Sequence, residues 1–203
     1  DYDDIQKLAL EECEVDIVTC PSGRIQRLIN AAKATIEGIE IETKINITDQ
    51  FSIEGSLGYT DAGFDEFLGF DADGVRGYDP ATDPAAAAAL KFERVPELTY
   101  NIMANYFQPL SNGAELDFRL AYSYTNDFTN DALGTRAIIT DSYGLLDASV
   151  SYTFAGSGLK LTVFGKNITD EDYHDFALDN ALTSLTWGGA PDTYGLRLTY
   201  SFE

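Results

Sequence analysis

The sequence has few basic residues and lacks any long apolar run. Lys and Arg total 13 against 34 Asp and Glu, which gives a formal net charge of -21 for 203 residues. Nucleic-acid binding is excluded as a function, because such a surface must neutralise phosphates with Lys and Arg. No window approaches the ~18 consecutive apolar residues of a membrane-spanning helix. Strands can still cross a membrane, because each needs only ~9 to 11 alternating residues.

Residues that usually carry catalysis are also scarce. His174 is the only histidine, and the sequence arranges neither a nucleophile nor a pair of carboxylates around it. We therefore expect His174 to be an ordinary surface residue. We also expect that the protein is not an enzyme and that it binds no cofactor.

What the sequence does contain is a repeated alternation of apolar and polar residues, the pattern of strands with one apolar face. In the last segment the apolar positions are Tyr194, Leu196, Leu198, Tyr200 and Phe202. Similar segments begin at Ile39, Phe51, Leu98, Leu116, Leu146 and Leu159, and a weaker one covers 2–10. The sequence therefore predicts about eight strands. No linker interrupts them, so 1–203 is expected to form one domain.

Three further features favour a membrane barrel over a soluble sandwich. Tight connections at 46–50, 108–113 and 155–158 alternate with long ones at 11–27, 65–91, 126–136 and 170–191. Aromatic residues gather near strand ends, and charges occur in the strands only at the polar positions. Transmembrane strands joined by short turns on one side and long loops on the other have these properties. We therefore predict an all-β fold, an antiparallel up-and-down transmembrane β-barrel.

Three parts of the sequence resemble recurring segments of the barrel in TonB-dependent outer-membrane receptors. They are 33–42 with 48–49 and 56–62, then 164–173 (FGKNITDEDY), and finally 193–202 (TYGLRLTYSF). The resemblance implies that 1–203 holds about eight C-terminal strands of a larger barrel of the 22-stranded type. The family's plug domain and signal peptide are absent from this sequence. Because Asp1 leads directly into a strand, we expect the chain to be part of a longer protein.

The resemblance also implies a function, a location and partners. The function is active uptake of a scarce nutrient, such as siderophore-bound iron, cobalamin or a saccharide, by a multi-pass protein of the bacterial outer membrane. The implied partners are outer-membrane lipid, the remaining barrel strands and plug, the TonB complex acting through the missing N-terminal part, and an unidentified small-molecule ligand. The alternative is a self-contained small barrel with a structural or adhesive role, for which about eight strands suffice.

The two cysteines are candidates for a disulfide. Cys13 and Cys20 share the first long loop, beside Pro21. The oxidising cell surface that the resemblance implies favours a bond between them, with free thiols as the alternative. A cysteine pair with no histidine nearby is a poor zinc site.

One acidic loop has some features of a calcium site. Its carboxylates are Asp71, Asp73 and Asp79. However, Gly74 comes too early for an EF-hand, and no bidentate Glu follows at the required spacing. We therefore expect no metal there and interpret the segment as a solvated outer loop whose charges repel each other.

Aromatic residues in the last long loop are candidates for ligand contact at the outer mouth of the barrel. They are Tyr173, Phe176 and Trp187. Anchoring at the membrane interface is the alternative role for such residues.

Strand parity predicts which side chains meet lipid and which face the lumen. The expected lipid-facing positions are Leu120, Val150 and the C-terminal row of Tyr194, Leu196, Leu198, Tyr200 and Phe202. The expected lumen-facing positions are Arg119, Ser149 and Arg197. We also expect an open sheet, in which 1–10 pairs with 36–45 and 194–202 pairs with 159–166, while the two end strands do not pair with each other.

Overall fold

Strands make up almost all of the regular structure. The computed structural model describes residues 1–12, 24–67, 91–130, 139–179 and 184–202. The strands in these ranges are β1 Tyr2–Glu12, β2 Arg24–Asn46, β3 Phe51–Phe67, β4 Leu98–Pro109, β5 Glu115–Thr125, β6 Phe128–Thr129, β7 Ile139–Thr140, β8 Tyr143–Thr153, β9 Leu159–Lys166, β10 His174–Asp179, β11 Ser184–Gly188 and β12 Thr193–Tyr200. The described part of the chain has no helix long and apolar enough to cross a membrane.

Eight of these strands form one sheet, in the order β1-β2-β3-β4-β5-β8-β9-β12. Every pair in it is antiparallel, so the chain runs up and down between neighbouring strands. The predicted all-β, up-and-down arrangement of eight strands is confirmed. Two small hairpins, β6 with β7 and β10 with β11, were not predicted. β6, β10 and β11 lie inside the predicted loops 126–136 and 170–191, and β7 lies just after the first of these loops. The sequence missed them because strands of two to six residues are too short to display an alternation.

Tight turns gather at one end of the sheet, which we call the short-turn end. In the first, the Thr48 hydroxyl accepts hydrogen bonds from the backbone N–H of Gln50 at 3.2 Å and of Phe51 at 3.0 Å. Gly113 and Gly158 supply left-handed backbone, with φ of 81° and 63°, in the other two turns. The strand ends that the long connections join are at the opposite end of the sheet, which we call the long-loop end.

The sheet presents its large apolar side chains outward instead of burying them. In the described residues, the buried apolar side chains are Ala34, Phe64, Ala114 and Ala177. By contrast, Leu198 is 67% exposed. The exposed positions form an apolar belt, made by alternate residues of 39–47, 51–59, 98–106, 116–124, 146–154, 159–163 and 194–202. Water-soluble monomers rarely expose a continuous apolar surface of this extent.

The residues predicted to meet lipid and those predicted to face the lumen lie on opposite faces of the central and last strands. Exposed on the apolar face are Leu120, Val150, Tyr194, Leu196, Leu198, Tyr200 and Phe202. Arg119, Ser149 and Arg197 instead line a cavity on the polar face. Contact of the first set with lipid stays a prediction, because it concerns a partner outside the chain.

Aromatic rings mark both edges of the apolar belt. Toward the long-loop end, Tyr100 stacks on Tyr124, its partner in the β4–β5 ladder, with ring centroids 5.0 Å apart. Toward the short-turn end, the rings of Tyr106 and Phe118 lie 6.1 Å apart. Two aromatic rows flanking an apolar band are typical of strands that cross a bilayer.

The register of β1 differs from the prediction. Tyr2 pairs with Ala34 and Glu12 with Arg24, so β1 lies beside the first part of β2 rather than beside 36–45. The long first connection is correspondingly shorter than predicted, because β1 continues to Glu12 and β2 already begins at Arg24. The register differs because β2 has 23 residues and its first part continues past the apolar belt. β1 pairs with that extension, outside the belt.

The sheet is an open arc, as predicted. β1 and β12 are its end strands, and no backbone pairing joins them within the described residues. β12 pairs with β9, for instance Tyr194 with Gly165. The narrow closed barrel that would have paired 1–10 with 194–202 is therefore not formed by these strands.

Candidate functional site

The polar face of the arc encloses a cavity. A cavity of about 690 Å³ is lined by residues of the β2–β3 turn together with residues of β4, β5, β8, β9 and β12. Elements so far apart in the sheet order can line one cavity only if the sheet curls toward its polar side. The polar face is therefore the inside of the arc, and the apolar belt is its outside.

Eight side chains near the end of the arc form what we call the polar wall. They are Asp117 and Arg119 on β5, Ser149 and Ser151 on β8, Lys160 and Thr162 on β9, and Arg197 and Thr199 on β12. The Ser151 and Thr162 hydroxyls are hydrogen-bonded at 2.9 Å, and the Lys160 ammonium lies 3.2 Å from an Asp117 carboxylate oxygen. The wall thus combines hydroxyls with charges of both signs.

The two arginines of the wall have no carboxylate partner within ion-pair distance in the described part of the chain. Arg119 lies opposite Ser149, and Arg197 lies opposite Thr162. The Arg197 guanidinium stands 5.4 Å from the centroid of the Phe164 ring. That ring covers Gly195, where an added Cβ would come within 2.5 Å of the Phe164 Cζ atom. Close packing and a cation–π contact therefore fix the position of Arg197.

A second candidate region lies at the long-loop end, where Asn167 closes the base of the connection between β9 and β12. Its amide nitrogen donates to the carbonyl oxygens of Glu171 at 3.0 Å and Ala190 at 3.2 Å. Its amide oxygen accepts from the Glu171 N–H at 2.9 Å. Its own backbone N–H donates to an Asp147 carboxylate oxygen at 2.9 Å. Asn167 is only 4% exposed and has φ of 48°, a conformation that Asn tolerates better than most residues.

Tyr173, one of the three predicted ligand-contacting aromatics, serves the loop itself. Its ring stacks on Tyr143 with centroids 4.3 Å apart, and its carbonyl oxygen accepts from the Gly189 N–H at 2.7 Å. The ring lies so close to Gly189 that a Cβ there would come within 2.1 Å of it. The hydroxyl accepts a hydrogen bond from the Ala190 N–H at 3.3 Å. The contacts of Tyr173 therefore hold the β10–β11 hairpin against Tyr143, the first residue of β8.

Phe176 and Trp187, the other two, lie opposite each other in the β10–β11 hairpin. Their ring centroids are 5.2 Å apart, and the Arg94 guanidinium is 5.4 Å from the Phe176 ring centroid. Trp187 is 49% exposed. The structure thus brings two of the three aromatics together with an arginine from the segment before β4, and leaves one ring accessible.

Arg94 and Asn167 were not identified from the sequence. Asn167 follows directly after a strand, and an Asn at a strand end is a signal for left-handed backbone. For Arg94 no signal existed, because its contact with Phe176 joins segments far apart in the chain.

The remaining candidate residues divide into those inside and those outside the described part. His174 is exposed, begins β10 and lies opposite Gly188. Within the described residues there is no group of three or more His, Cys, Asp or Glu side chains that could hold a metal ion. Outside the described residues lie Cys13, Cys20, Asp71, Asp73 and Asp79, so the disulfide and the calcium loop stay predictions.

Comparison with known proteins gives a family match over most of the chain. The model of the family described as TonB dependent receptor-like, beta-barrel, matches residues 12–168.

Solved structures share the fold. The ferric yersiniabactin uptake receptor FyuA from Yersinia pestis is 20% identical with a TM-score of 0.69, and the match covers 87% of this chain and 25% of that one. The siderophore receptor PiuA from Acinetobacter baumannii is 16% identical with a TM-score of 0.65, covering 95% and 24%. BauA, the ferric preacinetobactin receptor from the same organism, is 16% identical with a TM-score of 0.62, covering 97% and 26%. The chain thus spans about a quarter of the length of these structures.

Proposed function

The chain belongs to the TonB-dependent receptor-like β-barrel family, and from this premise we propose that it is the C-terminal arc of a bacterial outer-membrane receptor that actively takes up a scarce nutrient. The observation that carries the proposal is the inverted distribution of polarity. The sheet exposes an apolar belt on its convex side and lines its concave side with polar and charged groups. Such a surface suits strands between lipid and an aqueous lumen.

The edges of the arc support the view that further strands complete the barrel. In lipid every backbone N–H and C=O group needs a partner within the protein. Within the described residues, the outer edge of β12 and the 36–46 edge of β2 have none. Strands from the rest of a barrel of the 22-stranded type would supply these partners. A self-contained eight-stranded barrel is disfavoured, because it would require β1 and β12 to pair.

The plug and the coupling to the TonB complex belong to this proposal as well. In the complete receptor a plug would occupy the lumen beside the polar wall, and the TonB complex would act through the part of the protein that precedes this chain. No site in the described residues suggests catalysis, and the family is one of receptors, so transport and not enzymatic conversion is proposed.

The proposed ligand class is a ferric siderophore, with cobalamin and saccharides as the other nutrients to test. The support is that the similar structures are named as receptors for siderophores or their iron complexes. At the long-loop end, Phe176 and Trp187 are proposed to contact the ligand, since they form a partly exposed aromatic pair at the mouth of the arc. Tyr173 is not included, because its contacts are internal to the loop.

Uptake by intact cells tests the proposal. The gene for the full-length protein is deleted from its host and restored on a plasmid, and accumulation of radioactive iron is measured with a panel of ferric siderophores. We expect at least one complex whose uptake requires the gene and stops when the TonB protein is deleted or the proton gradient is collapsed. Uptake of that complex that continues without TonB would contradict active transport. If no iron complex qualifies, labelled cobalamin and oligosaccharides are tested in the same strains.

A further inference from the structure

We propose that Arg94 is a positioning residue, whose guanidinium holds the aromatic pair Phe176–Trp187 in the place from which that pair contacts the ligand. Arg94 thereby affects ligand affinity without touching the ligand. The inference rests on the proposed function, since the aromatic pair is the proposed ligand contact. It adds a residue from another connection of the chain and the interaction through which that residue acts.

The β10–β11 hairpin that carries the pair is too short to be rigid by itself. Its strands have six and five residues, and they form a two-stranded sheet of their own. An isolated two-stranded hairpin is marginally stable in water. Contacts with the rest of the protein must therefore fix the orientation of Phe176 and Trp187.

Other contacts fix the base of the hairpin and one of its faces. Asn167 and Tyr173 act on the chain that enters the hairpin. Ala177 points to the face opposite Phe176, because successive side chains of a strand alternate, and it is only 1% exposed. On the other face Phe176 is half-buried, with the Arg94 guanidinium 5.4 Å from its ring centroid. Arg94 therefore supports the face that carries the aromatic pair.

The segment that contains Arg94, residues 91–97, is itself attached to β3. The ring of Phe92 stacks on that of Phe64, with centroids 4.2 Å apart and planes 10° apart. Phe64 is 5% exposed, so this contact is buried. At the other end of the segment, the Thr60 N–H donates a hydrogen bond to the Glu97 carbonyl oxygen at 2.9 Å. The main sheet thus provides the support from which the Arg94 side chain extends.

Arg94 also joins the connection between β5 and β8. Its backbone N–H donates to the carbonyl oxygen of Thr129, a buried residue of β6, at 2.8 Å. Arg94 has φ of 59°, a left-handed conformation that few non-glycine residues adopt and that persists only where surrounding contacts determine it. One residue therefore links the β3–β4, β5–β8 and β9–β12 connections.

A guanidinium is well suited to hold an aromatic ring in place. It is planar and weakly hydrated, and it packs over aromatic rings through a cation–π interaction. A binding pair that is already held loses less conformational freedom when the ligand arrives. Loss of the contact between Arg94 and Phe176 should therefore weaken ligand binding, although Arg94 lies outside the proposed ligand contact.

Hydrogen exchange of the full-length receptor without ligand gives the first test. Arg94→Met removes the cation and keeps an unbranched side chain, whereas Arg94→Lys keeps the cation. An exposed cation–π contact changes an equilibrium constant about two- to fivefold, so Arg94→Met should speed exchange of the β10 and β11 amides by that factor. Arg94→Lys should restore most of the protection. In a Phe176→Leu receptor, which lacks the ring, Arg94→Met should have no further effect.

Calorimetric titration gives the second test, with two probes of different charge. They are an anionic ferric tris-catecholate and an uncharged ferric tris-hydroxamate. We expect Arg94→Met to raise the Kd of a probe that binds about two- to fivefold, and to leave it unchanged when Phe176→Leu is already present. A loss of affinity confined to the anionic probe would overturn the proposal, because Arg94 would then contact the ligand itself. A loss of equal size with and without the Phe176 ring would overturn it as well.

Lys91→Met is the matched control, because it removes an exposed cation from the same segment. The Lys91 ammonium lies 3.7 Å from a Glu97 carboxylate oxygen, and an exposed ion pair of this kind contributes little. Both readings should therefore match those of the unsubstituted receptor. If Lys91→Met has the same effect as Arg94→Met, the contact with Phe176 is not the cause and the proposal is rejected.

The two tests separate this inference from the proposed function. Faster hairpin exchange in Arg94→Met, in a receptor that binds neither probe, would support the positioning of the aromatic pair and count against the proposed ligand class. Binding of a probe with exchange and affinity both unchanged in Arg94→Met would support the function and reject the role of Arg94.

Discussion

Glu37 on β2 and Asp61 on β3 lie directly opposite each other on the outer face of the arc, and the next pair on that face is Ile39 with Tyr59. Two carboxylates are thus followed at once by two large apolar side chains. A bilayer tolerates charge near its interface far better than at its centre. This change from charged to apolar side chains therefore marks the long-loop edge of the apolar belt on these two strands.

The first prediction concerns depth along β2. Glu37→Arg should leave assembly unchanged, whereas Ile41→Arg should impair it, because a lipid-facing Arg costs about 0 to 1 kcal/mol near the interface and about 2 to 4 kcal/mol at the midplane. The measurement is the fraction of full-length receptor that reaches the outer membrane in the heat-modifiable, folded form. A belt displaced along β2 would make Glu37→Arg the more damaging change.

The second prediction concerns parity on β12. Leu198 is exposed on the apolar face and Thr199 lines the cavity on the polar face. Leu198→Arg should therefore reduce insertion of the receptor far more than Thr199→Arg does. The folded fraction of each variant is measured as above. Equal yields would mean that the two faces of β12 do not differ in their surroundings.

The third prediction is that Asn167 holds the β10–β11 connection closed. Asn167→Ala removes the side-chain bonds to Glu171 and Ala190. Buried groups left without partners cost about 1 to 3 kcal/mol, and Ala adds about 1 to 2 kcal/mol because its φ would have to be positive. Hydrogen exchange should show faster exchange of the Glu171 and Gly189 amides, with the β8–β9 ladder unchanged.

The matched control for that experiment is Asn112→Ala. Asn112 also accepts a backbone hydrogen bond, from Ala114 at 3.0 Å, but in a tight turn at the short-turn end. It should leave exchange in 167–192 as in the unsubstituted receptor. If Asn167→Ala behaves in the same way, the hairpin is held by other contacts, Tyr173 above all.

The fourth prediction separates the aromatic residues at the mouth. Trp187→Ala should raise the Kd for the transported siderophore about tenfold, equivalent to about 1.4 kcal/mol, and should speed hydrogen exchange of the hairpin less than Tyr173→Ala does. Tyr173→Ala should instead loosen the hairpin, because it removes the packing on Tyr143 and Gly189. Calorimetric titration and hydrogen exchange provide the two readings. Thr186→Ala, next to Trp187 in the hairpin and exposed, is the control, and equal loss of affinity in it would argue against a specific contact by Trp187.

The fifth prediction is a disulfide between Cys13 and Cys20. A disulfide that closes so short a loop should stabilise its surroundings by about 2 to 3 kcal/mol at most, so reduction of the disulfide should leave the barrel folded. Maleimide labelling of the full-length receptor, with and without reductant, checks both thiols. Labelling of both before reduction would show that they are free.

The roles of many residues in the candidate site depend on contacts that no local sequence pattern predicts. Arg119 and Arg197 could be assigned to the polar face from parity alone, but the pairing of Lys160 with Asp117 across two strands required the sheet order. Similarly, Tyr173, Phe176 and Trp187 were equivalent candidates in the sequence. Only the stacking of Tyr173 on Tyr143 and the exposure of Trp187 gave them different roles.

The sequence by itself determined the eight strands of the main sheet and their two faces, because alternation with a period of two is a local property and each of these segments carries its own copy. It also determined the open arc in outline, since up-and-down strands pair with their neighbours in order. Tertiary structure alone decided the register of β1. Its weak alternation specifies no partner position, and pairing of Tyr2 with Ala34 depends on how far β2 extends past the belt. Tertiary structure alone also decided the contact of Arg94 with the Phe176–Trp187 pair. Contacts between segments far apart in the chain arise only when the curvature of the whole sheet brings their loops together.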